Sequence, residues 1–376
     1  MNFDFPDDMK MLRDEAQKFL AKHCPRSSPR KILDGAEPYD KALWKEMAAL
    51  GWIGASVPEE YGGVGLGSLA VCVLAEELGR VNAPVPYASS VYGAIEALLT
   101  GGSEAQQAKY LPGLASGDKI GTLALAERLG VQDFGAPLTR LVDGRLTGTK
   151  LAVPDGDVAD LAIVVAHDGT RGPTLCVVDL AGPGVTRDTV KTFDPTRSHG
   201  KIVFEGAPAE ALAKVRGAAD IRRLIDRAAV MMAFEQVGGA QAALDMARDY
   251  ALERYAFGRQ IGSFQAIKHK LADIYVAVEI ARSNAYYGAW ALSTNAVELP
   301  IAASVARIAA SDAGWLAAKE NVQTHGGMGY TWEGDAHLFY RRAKLLGLTL
   351  GAPREWKRRL MQELRTSNAS LVPSAD

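Results

Sequence analysis

The spacing of apolar residues changes twice along the chain, and this limits the fold more than any other feature. From Asp7 to about residue 117 apolar side chains recur at three- and four-residue steps. Met9, Leu12, Ala16, Phe19 and Leu20 mark the first helix, with Asp7 or Asp8 as its N-cap. Further helices are predicted over 40–50, 68–80 and 88–99, with Pro84 and Pro86 punctuating the last two. From about 118 to 215 the period shortens. Asp143-Gly144 sits between short alternating runs, as in a hairpin. LAIVV (161–165) and TLCVVDL (174–180) are short and β-branched, and KIVFEG (201–206) follows. Successive strands with no helix between them predict an antiparallel barrel or sandwich. From about residue 219 the pattern is helical again, in long pieces. Phe264, Ile267, Leu271, Ile274, Tyr275 and Val278 share one face behind a Ser263 cap, Pro300 opens another helix, and Gly326-Gly327 ends it. Long helices joined by short turns predict an antiparallel bundle. The expected class is therefore α+β: a helical domain over 1–117, an antiparallel β-barrel domain over 118–215, and a helical bundle over 216–376.

Composition then excludes several functions. Lys plus Arg total 42 and Asp plus Glu 44, a net charge of −2. That balance speaks against a protein that neutralises many phosphates of a nucleic acid, and against a disordered acidic chain. A chain of 376 residues needs no staples for its core. Cys24, Cys72 and Cys176 are far apart, odd in number and in no CxxC spacing, which fits a reducing cytoplasm. The acidic start MNFDFPDDMK lacks the regions of a signal peptide, and no run of about 18 apolar residues predicts a membrane span. No HExxH, GxSxG or P-loop motif is present. The glycine cluster YGGVGLG (61–67) lacks GxGxxG spacing and follows no buried strand, so a turn is expected there rather than a phosphate cradle.

Five segments, in order and spread over nearly the whole chain, resemble the acyl-CoA dehydrogenase family. They are PEEYGGVGLG (58–67), ALAERLG (124–130), GTKLAVPDGDVAD (148–160), LDMARDYALERYAFGRQIGSFQAIKHKLAD (244–273) and QTHGGMGYTWEGDAHLFYRRAK (323–344). The resemblance implies a helical domain, a β-barrel domain and a four-helix bundle. It also implies FAD and removal of two hydrogens from the α and β carbons of an acyl-CoA. A carboxylate must take the α-proton, and the flavin must be placed to accept the β-hydride. In the family the FAD site is shared across a subunit interface. The resemblance assigns the neighbour's share of that site to Arg254 (pyrophosphate), Phe257, Gln265, and the turn Gln323, Thr324, His325, Gly326 and Gly327. A guanidinium fork suits a pyrophosphate, and glycine permits close approach of backbone. The bland readings are that Arg254 complements a helix dipole, that Gly326 is only a C-cap and that a lone His325 is structural.

The other share departs from the family pattern. Where the family has a T-E-P-x-x-G-S type loop, this chain reads Ala126, Glu127, Arg128, Leu129, Gly130. Where the family has W-I-T, it reads Ala152, Val153, Pro154, which offer neither a flanking ring nor a hydroxyl or N–H at the last position. The family's commonest base position falls on Leu350, and the alternative position on Ala228, followed by Ala229. Asp226, two residues from Ala228, lies on the far side of a helix. Glu235, seven residues beyond Ala228 in the apolar run MMAFEQVGG, is the weak substitute candidate; it would lie about 10 Å further along the axis, and its plainer reading is an ion pair within the bundle. Glu333 and Asp335 are weaker still. The basic stretch 341–365 has eight Lys or Arg against two acidic residues, which suits CoA phosphates, a partner subunit or plain solvation.

The expected function is thus a non-catalytic, β-type subunit of a heteromeric, α2β2 acyl-CoA dehydrogenase. It resembles those of actinobacterial sterol side-chain breakdown, which act on bulky acyl-CoA substrates. The implied partners are a paralogous acyl-CoA dehydrogenase subunit and an electron-transfer flavoprotein or similar acceptor, with no nucleic acid and no membrane. An autonomous homotetramer using Glu235, and a flavin-free scaffold or binding protein on the same fold, are the alternatives.

Overall fold

The computed structural model describes residues 5–35, 37–128 and 134–369. Local chemistry sets several helix starts in the N-terminal segment. α1 (Asp7–His23) begins with Asp7 and Asp8 in its first turn. α2 (Ser27–Leu33) is short, and α3 (Lys41–Ala49) is capped by Asp40, whose carboxylate accepts from the Leu43 N–H at 3.0 Å. α4 (Gly67–Arg80) falls where the apolar period places it. The helix predicted over 88–99 is wound in two ways: a π-helical stretch (Ala88–Ile95), then α5 (Glu96–Gly101). α6 (Glu104–Ala115) opens with a reciprocal capping box between Ser103 and Gln106. The sequence reading did not include α2 or α6. α2 is too short to show a period, and Pro112 inside α6 masks its pattern.

The glycine cluster is a turn. The N–H groups of Gly62, Gly63, Val64, Gly65 and Leu66 donate to carbonyls of Glu59, Pro58, Gly54, Val57 and Ala55, so its donors are used within the loop. Gly63 must lack a Cβ, which would come within 2.0 Å of the Val57 carbonyl oxygen.

Among the described residues seven strands follow: β1 (Gly121–Ala124), β2 (Arg140–Val142), β3 (Arg145–Pro154), β4 (Leu161–Asp168), β5 (Gly172–Asp179), β6 (Val185–Thr189) and β7 (His199–Ala211). The pairings β4-β2-β3-β7-β5 return to β4 and close a ring, with β1 added beside β4 and β6 beside β7. Asp143 and Gly144 have φ of 49° and 72°, the left-handed pair that a two-residue hairpin turn requires. One expectation needs correction: the barrel is not wholly antiparallel. β1 and β2 both run parallel to β4. Neither is joined to β4 by a hairpin, and regular strand spacing does not disclose which non-consecutive strands pair.

The last segment contains α7 (Ala218–Glu253), a small hairpin of β8 (Tyr255–Ala256) and β9 (Arg259–Gln260), α8 (Gln265–Ser293), α9 (Leu299–His325), α10 (Ala336–Leu348) and α11 (Pro353–Ala369). Pro300 sits in the first turn of α9, and Gly326 ends it at φ 57°. Ser263 is not the cap of α8. Phe264 holds that position without a side-chain bond, and the Ser263 hydroxyl donates to the Gln260 carbonyl at 2.7 Å. Four helices share one apolar core: Ala240, Ala243 and Leu244 of α7, Ile274 and Val278 of α8, Ala317 and Val322 of α9, and Phe339 of α10.

The described residues gather into two compact units, one drawn from within 1–22, 72–83 and 229–376, the other from within 23–71 and 84–228. In the first, the end of α4 crosses α7 in backbone contact. A Cβ on Gly79 would meet the Glu235 carbonyl oxygen at 1.9 Å, and one on Gly238 would meet the Glu76 carbonyl oxygen at 1.8 Å. Both obstacles are helix backbone, which cannot swing aside. Gly79→Ala and Gly238→Ala are each expected to destabilise by about 3 kcal/mol or more, despite the better helix propensity of alanine, as read from the urea midpoint.

Candidate functional site

The residues assigned to the neighbour's share of a dinucleotide site lie at one end of the bundle. α7 ends at Glu253, and Arg254 closes it: its N–H donates to the Tyr250 carbonyl and its own carbonyl accepts from Ile261. Tyr255 then pairs with Gln260 and Ala256 with Arg259, leaving Phe257-Gly258 as a two-residue turn. The φ values of 54° and 80° fit such a turn, but a left-handed phenylalanine is a strained choice. The turn holds the Phe257 ring 96% exposed. Its edge meets Phe264 at 6.3 Å, and the Arg259 guanidinium lies 4.0 Å from the centre of the Phe264 ring. Gly262 lets this connection pass close to α7, since a Cβ there would lie 2.9 Å from the Ala251 carbonyl oxygen.

α8 then starts at Gln265, which is exposed, without a side-chain cap. An uncapped helix start presents N–H groups and a partial positive charge. α9 arrives at the same end. Its last turn is tied to α8 by the Lys270–Glu320 ion pair at 2.8 Å and to α7 by His325 stacking on Tyr250 at 4.2 Å. Beyond it, Gly326 and Gly327 are exposed, and a Cβ built on either meets nothing within 4 Å.

The structure divides the predicted set. Arg254, Phe257, Gln265, Gln323, Gly326 and Gly327 are exposed and face solvent. Thr324 and His325 are committed internally: the Thr324 hydroxyl donates to the Glu320 carbonyl at 2.7 Å, and His325 Nδ1 bonds the Asn321 carbonyl at 2.9 Å. The plainer reading of His325 is therefore the structural one. An exposed guanidinium, an uncapped helix start and an open glycine turn suit a phosphate-bearing ligand.

The segments that would flank a flavin ring lie in the other unit. Ala126 accepts from the Leu151 N–H at 2.8 Å, so the 124–128 segment lies against β3. Ala152 is exposed and left-handed, φ 46°, at an irregularity in the β3–β7 register between Lys150 and Val153. Pro154 has no N–H, and its carbonyl accepts from Thr122 at 2.6 Å. The side chains of Ala152, Val153 and Pro154 carry no ring to stack on a flavin and no hydroxyl. Leu129 and Gly130 lie outside the described residues.

Glu127, by contrast, has a clear task. It accepts from the N–H groups of Leu138 (2.6 Å) and Thr139 (2.7 Å) and from Lys150 Nζ (2.8 Å). Burial alone would raise its pKa, but the Lys150 ammonium and the donors of Thr139 and Leu138 outweigh this and hold the carboxyl below the ordinary range. Lys150 is fully buried; desolvation lowers its pKa, against the pull of Glu127. Burial also pushes the Cys176 thiol up to about 12, so it is no nucleophile.

Both family base positions are apolar. Ala228 is buried in α7, and Leu350 follows α10 in a left-handed conformation, φ 62°. Glu235, the weak substitute candidate, is already engaged. It is buried and forms an ion pair with Arg342 at 3.4 Å. Burial in an apolar run, the feature that nominated it, is also what demands a countercharge. Arg307 was not foreseen. It is buried inside the bundle and donates to Gln236 Oε1, to Ser311 Oγ, and to the carbonyls of Leu346 and Thr349 at the end of α10. Desolvation brings its pKa down to about 9, opposed by Glu235. Its only sequence signal is an arginine within the alanine-rich run SVARIAASDAG (304–314). Glu333 is exposed, and Asp335 stands at the start of α10 without capping it.

Comparison with known proteins gives these positions a frame. Residues 6–118 match the acyl-CoA dehydrogenase N-terminal domain and residues 215–363 the C-terminal domain. The chain belongs to the acyl-CoA dehydrogenase family. Acyl-CoA dehydrogenase IpdE2 of Mycobacterium tuberculosis is 34% identical over 365 residues, covering 96% of this chain and 98% of the relative. Isovaleryl-CoA dehydrogenase of Solanum tuberosum is 30% identical, covering 92% and 88%. Among solved structures, a variant of the Tcur3481-Tcur3483 steroid ACAD superposes with a TM-score of 0.88 at 32% identity, covering 96% and 99%. The ChsE4-ChsE5 complex of M. tuberculosis superposes at 0.89 and 29% identity, covering 97% and 99%. Acyl-CoA dehydrogenases are FAD-dependent. The outward groups at the bundle end fit the phosphates of FAD, whereas the 152–154 segment does not fit an isoalloxazine ring. Among the described residues no group of His, Cys, Asp or Glu is arranged to hold a metal, and no helix is long and apolar enough to cross a membrane.

Glu127→Gln leaves a buried ammonium without its countercharge and is expected to cost about 3–5 kcal/mol, part of it recovered by adding Lys150→Met. The stability contributed by Glu127 is complete above the ordinary carboxylate pKa and is lost as pH falls through its depressed folded value. The urea-measured gap between wild type and Glu127→Gln should therefore narrow at acid pH.

Proposed function

We propose that this chain is the non-catalytic, β-type subunit of a heteromeric FAD-dependent acyl-CoA dehydrogenase. In this reading it lends its bundle end to a flavin held by a paralogous partner. The observation that carries the reading is the contrast within one chain: an outward set (Arg254, Phe257, Gln265, Gln323, Gly326, Gly327) beside base positions occupied by Ala228 and Leu350. The similarity to the ChsE4-ChsE5 complex and to a steroid ACAD supports a paralogous partner and a bulky CoA thioester as substrate.

The chemistry divides accordingly. FAD, when bound, supplies the hydride acceptor. Arg254 would hold the pyrophosphate through its planar fork, the open Gly326-Gly327 turn and the start of α8 would admit the dinucleotide, and Phe257 would lie beside it. The partner would supply the base and the ring pocket, and an electron-transfer flavoprotein or similar carrier would be the electron acceptor.

Purified alone, the chain should be colourless and inactive; co-purified with the paralogue, it should be yellow, with acyl-CoA dehydrogenase activity. A yellow, active homomer would sink the proposal, and a chain colourless under both conditions would favour a scaffold. In the mixed assembly, Arg254→Ala should weaken FAD retention about 10- to 100-fold, the loss of one charge-assisted, bidentate contact, as measured by flavin fluorescence on dilution.

A further inference from the structure

A small cavity lies inside the bundle unit, at the cluster of Glu235, Arg342 and Arg307. Asn82, Glu235, Gln236, Phe339 and Arg342 line it, and it encloses about 20 Å³. That is room for one water molecule, which needs roughly 10–15 Å³ by this measure. Three observations converge on it. Asn82 is only 3% exposed, and neither its Oδ1 nor its Nδ2 has a hydrogen-bond partner in the protein. Three contacts of Arg342 are long: 3.4 Å to Glu235, 3.5 Å to the Ala83 carbonyl and 3.5 Å to the Asn82 carbonyl. Polar contacts of this length leave room for a bridging water. The walls also carry both donors and an acceptor, the polar surroundings that keep a cavity wet.

We propose that this cavity is a binding site for one internal water molecule, which accepts from Arg342 and the Asn82 amide and donates to the Glu235 carboxylate. The water ties the turn after α4 to α7 and α10. A small anion is the weaker occupant, because the Glu235 carboxylate lines the same wall. An empty cavity would leave the Asn82 Nδ2 donor and Glu235 Oε2 buried without the bonds the water supplies, a costly arrangement.

Asn82 has a second possible reason to be asparagine, since its φ of 52° is one that asparagine tolerates and glycine tolerates better. This makes Asn82→Gly decisive by the sign of its effect. If the amide holds the water, removing it lowers the melting temperature of the full chain by about 2–4 °C, even though backbone strain is relieved. If the cavity is dry, the same change removes strain and an unsatisfied group together. An unchanged or higher melting temperature therefore overturns the proposal. A crystal structure of the wild-type chain grown with bromide gives the independent reading. Solvent density within hydrogen-bond reach of Asn82, Glu235 and Arg342, without anomalous signal, supports the site. A void, or an anomalous bromide peak, refutes it.

Discussion

The close crossing of α4 and α7 at Gly79 and Gly238 fixes much of the rest. With no side chain at either position, the two helices meet through backbone, each glycine against a carbonyl of the opposite helix. That approach brings the end of α4 onto the turn of α7 that carries Glu235 and Gln236. Glu235 reaches Arg342 and Gln236 reaches Arg307, so α10 and the turn after it are held by charges whose positions follow from the crossing. Widening it would disconnect this buried polar cluster.

Much of this was legible in the sequence, because the telling signals are local. The changes of period marked where helices give way to strands. Asp143-Gly144 named its own turn, Pro300 its helix start and Gly326 its helix end. The missing pieces depend on residues far apart in the chain. No local pattern shows that β4 takes parallel neighbours, that Lys150 inside the barrel needs Glu127, or that Arg307 anchors the end of α10. The Ser263 cap failed for the opposite reason: a good capping residue was present, but the backbone turned one residue later and spent its hydroxyl on Gln260.

The site shows the same division. Motif spacing named the bundle-end residues, and the structure separates those facing solvent from those holding the helix end together. Thr324 and His325 share a motif with Gly326 and Gly327, yet their side chains bond within the helix end. Glu235 shows why a buried carboxylate is ambiguous in sequence: the low-dielectric setting that can tune a base also calls for a partner. Which of the two occurs depends on α10, more than a hundred residues later.

Closure of the barrel has a consequence for assembly. Among the described residues the ring leaves few strand edges, and the two strands added outside it, β1 and β6, are of four and five residues. β1 is buried along its whole length, and β6 reads Val-Thr-Arg-Asp-Thr, with charge along its middle. Short, covered or charged edges make poor templates for an incoming strand. The barrel thus offers little to an incoming strand, so another chain would have to be recognised through side chains on helices and turns, where contacts can be tuned one residue at a time.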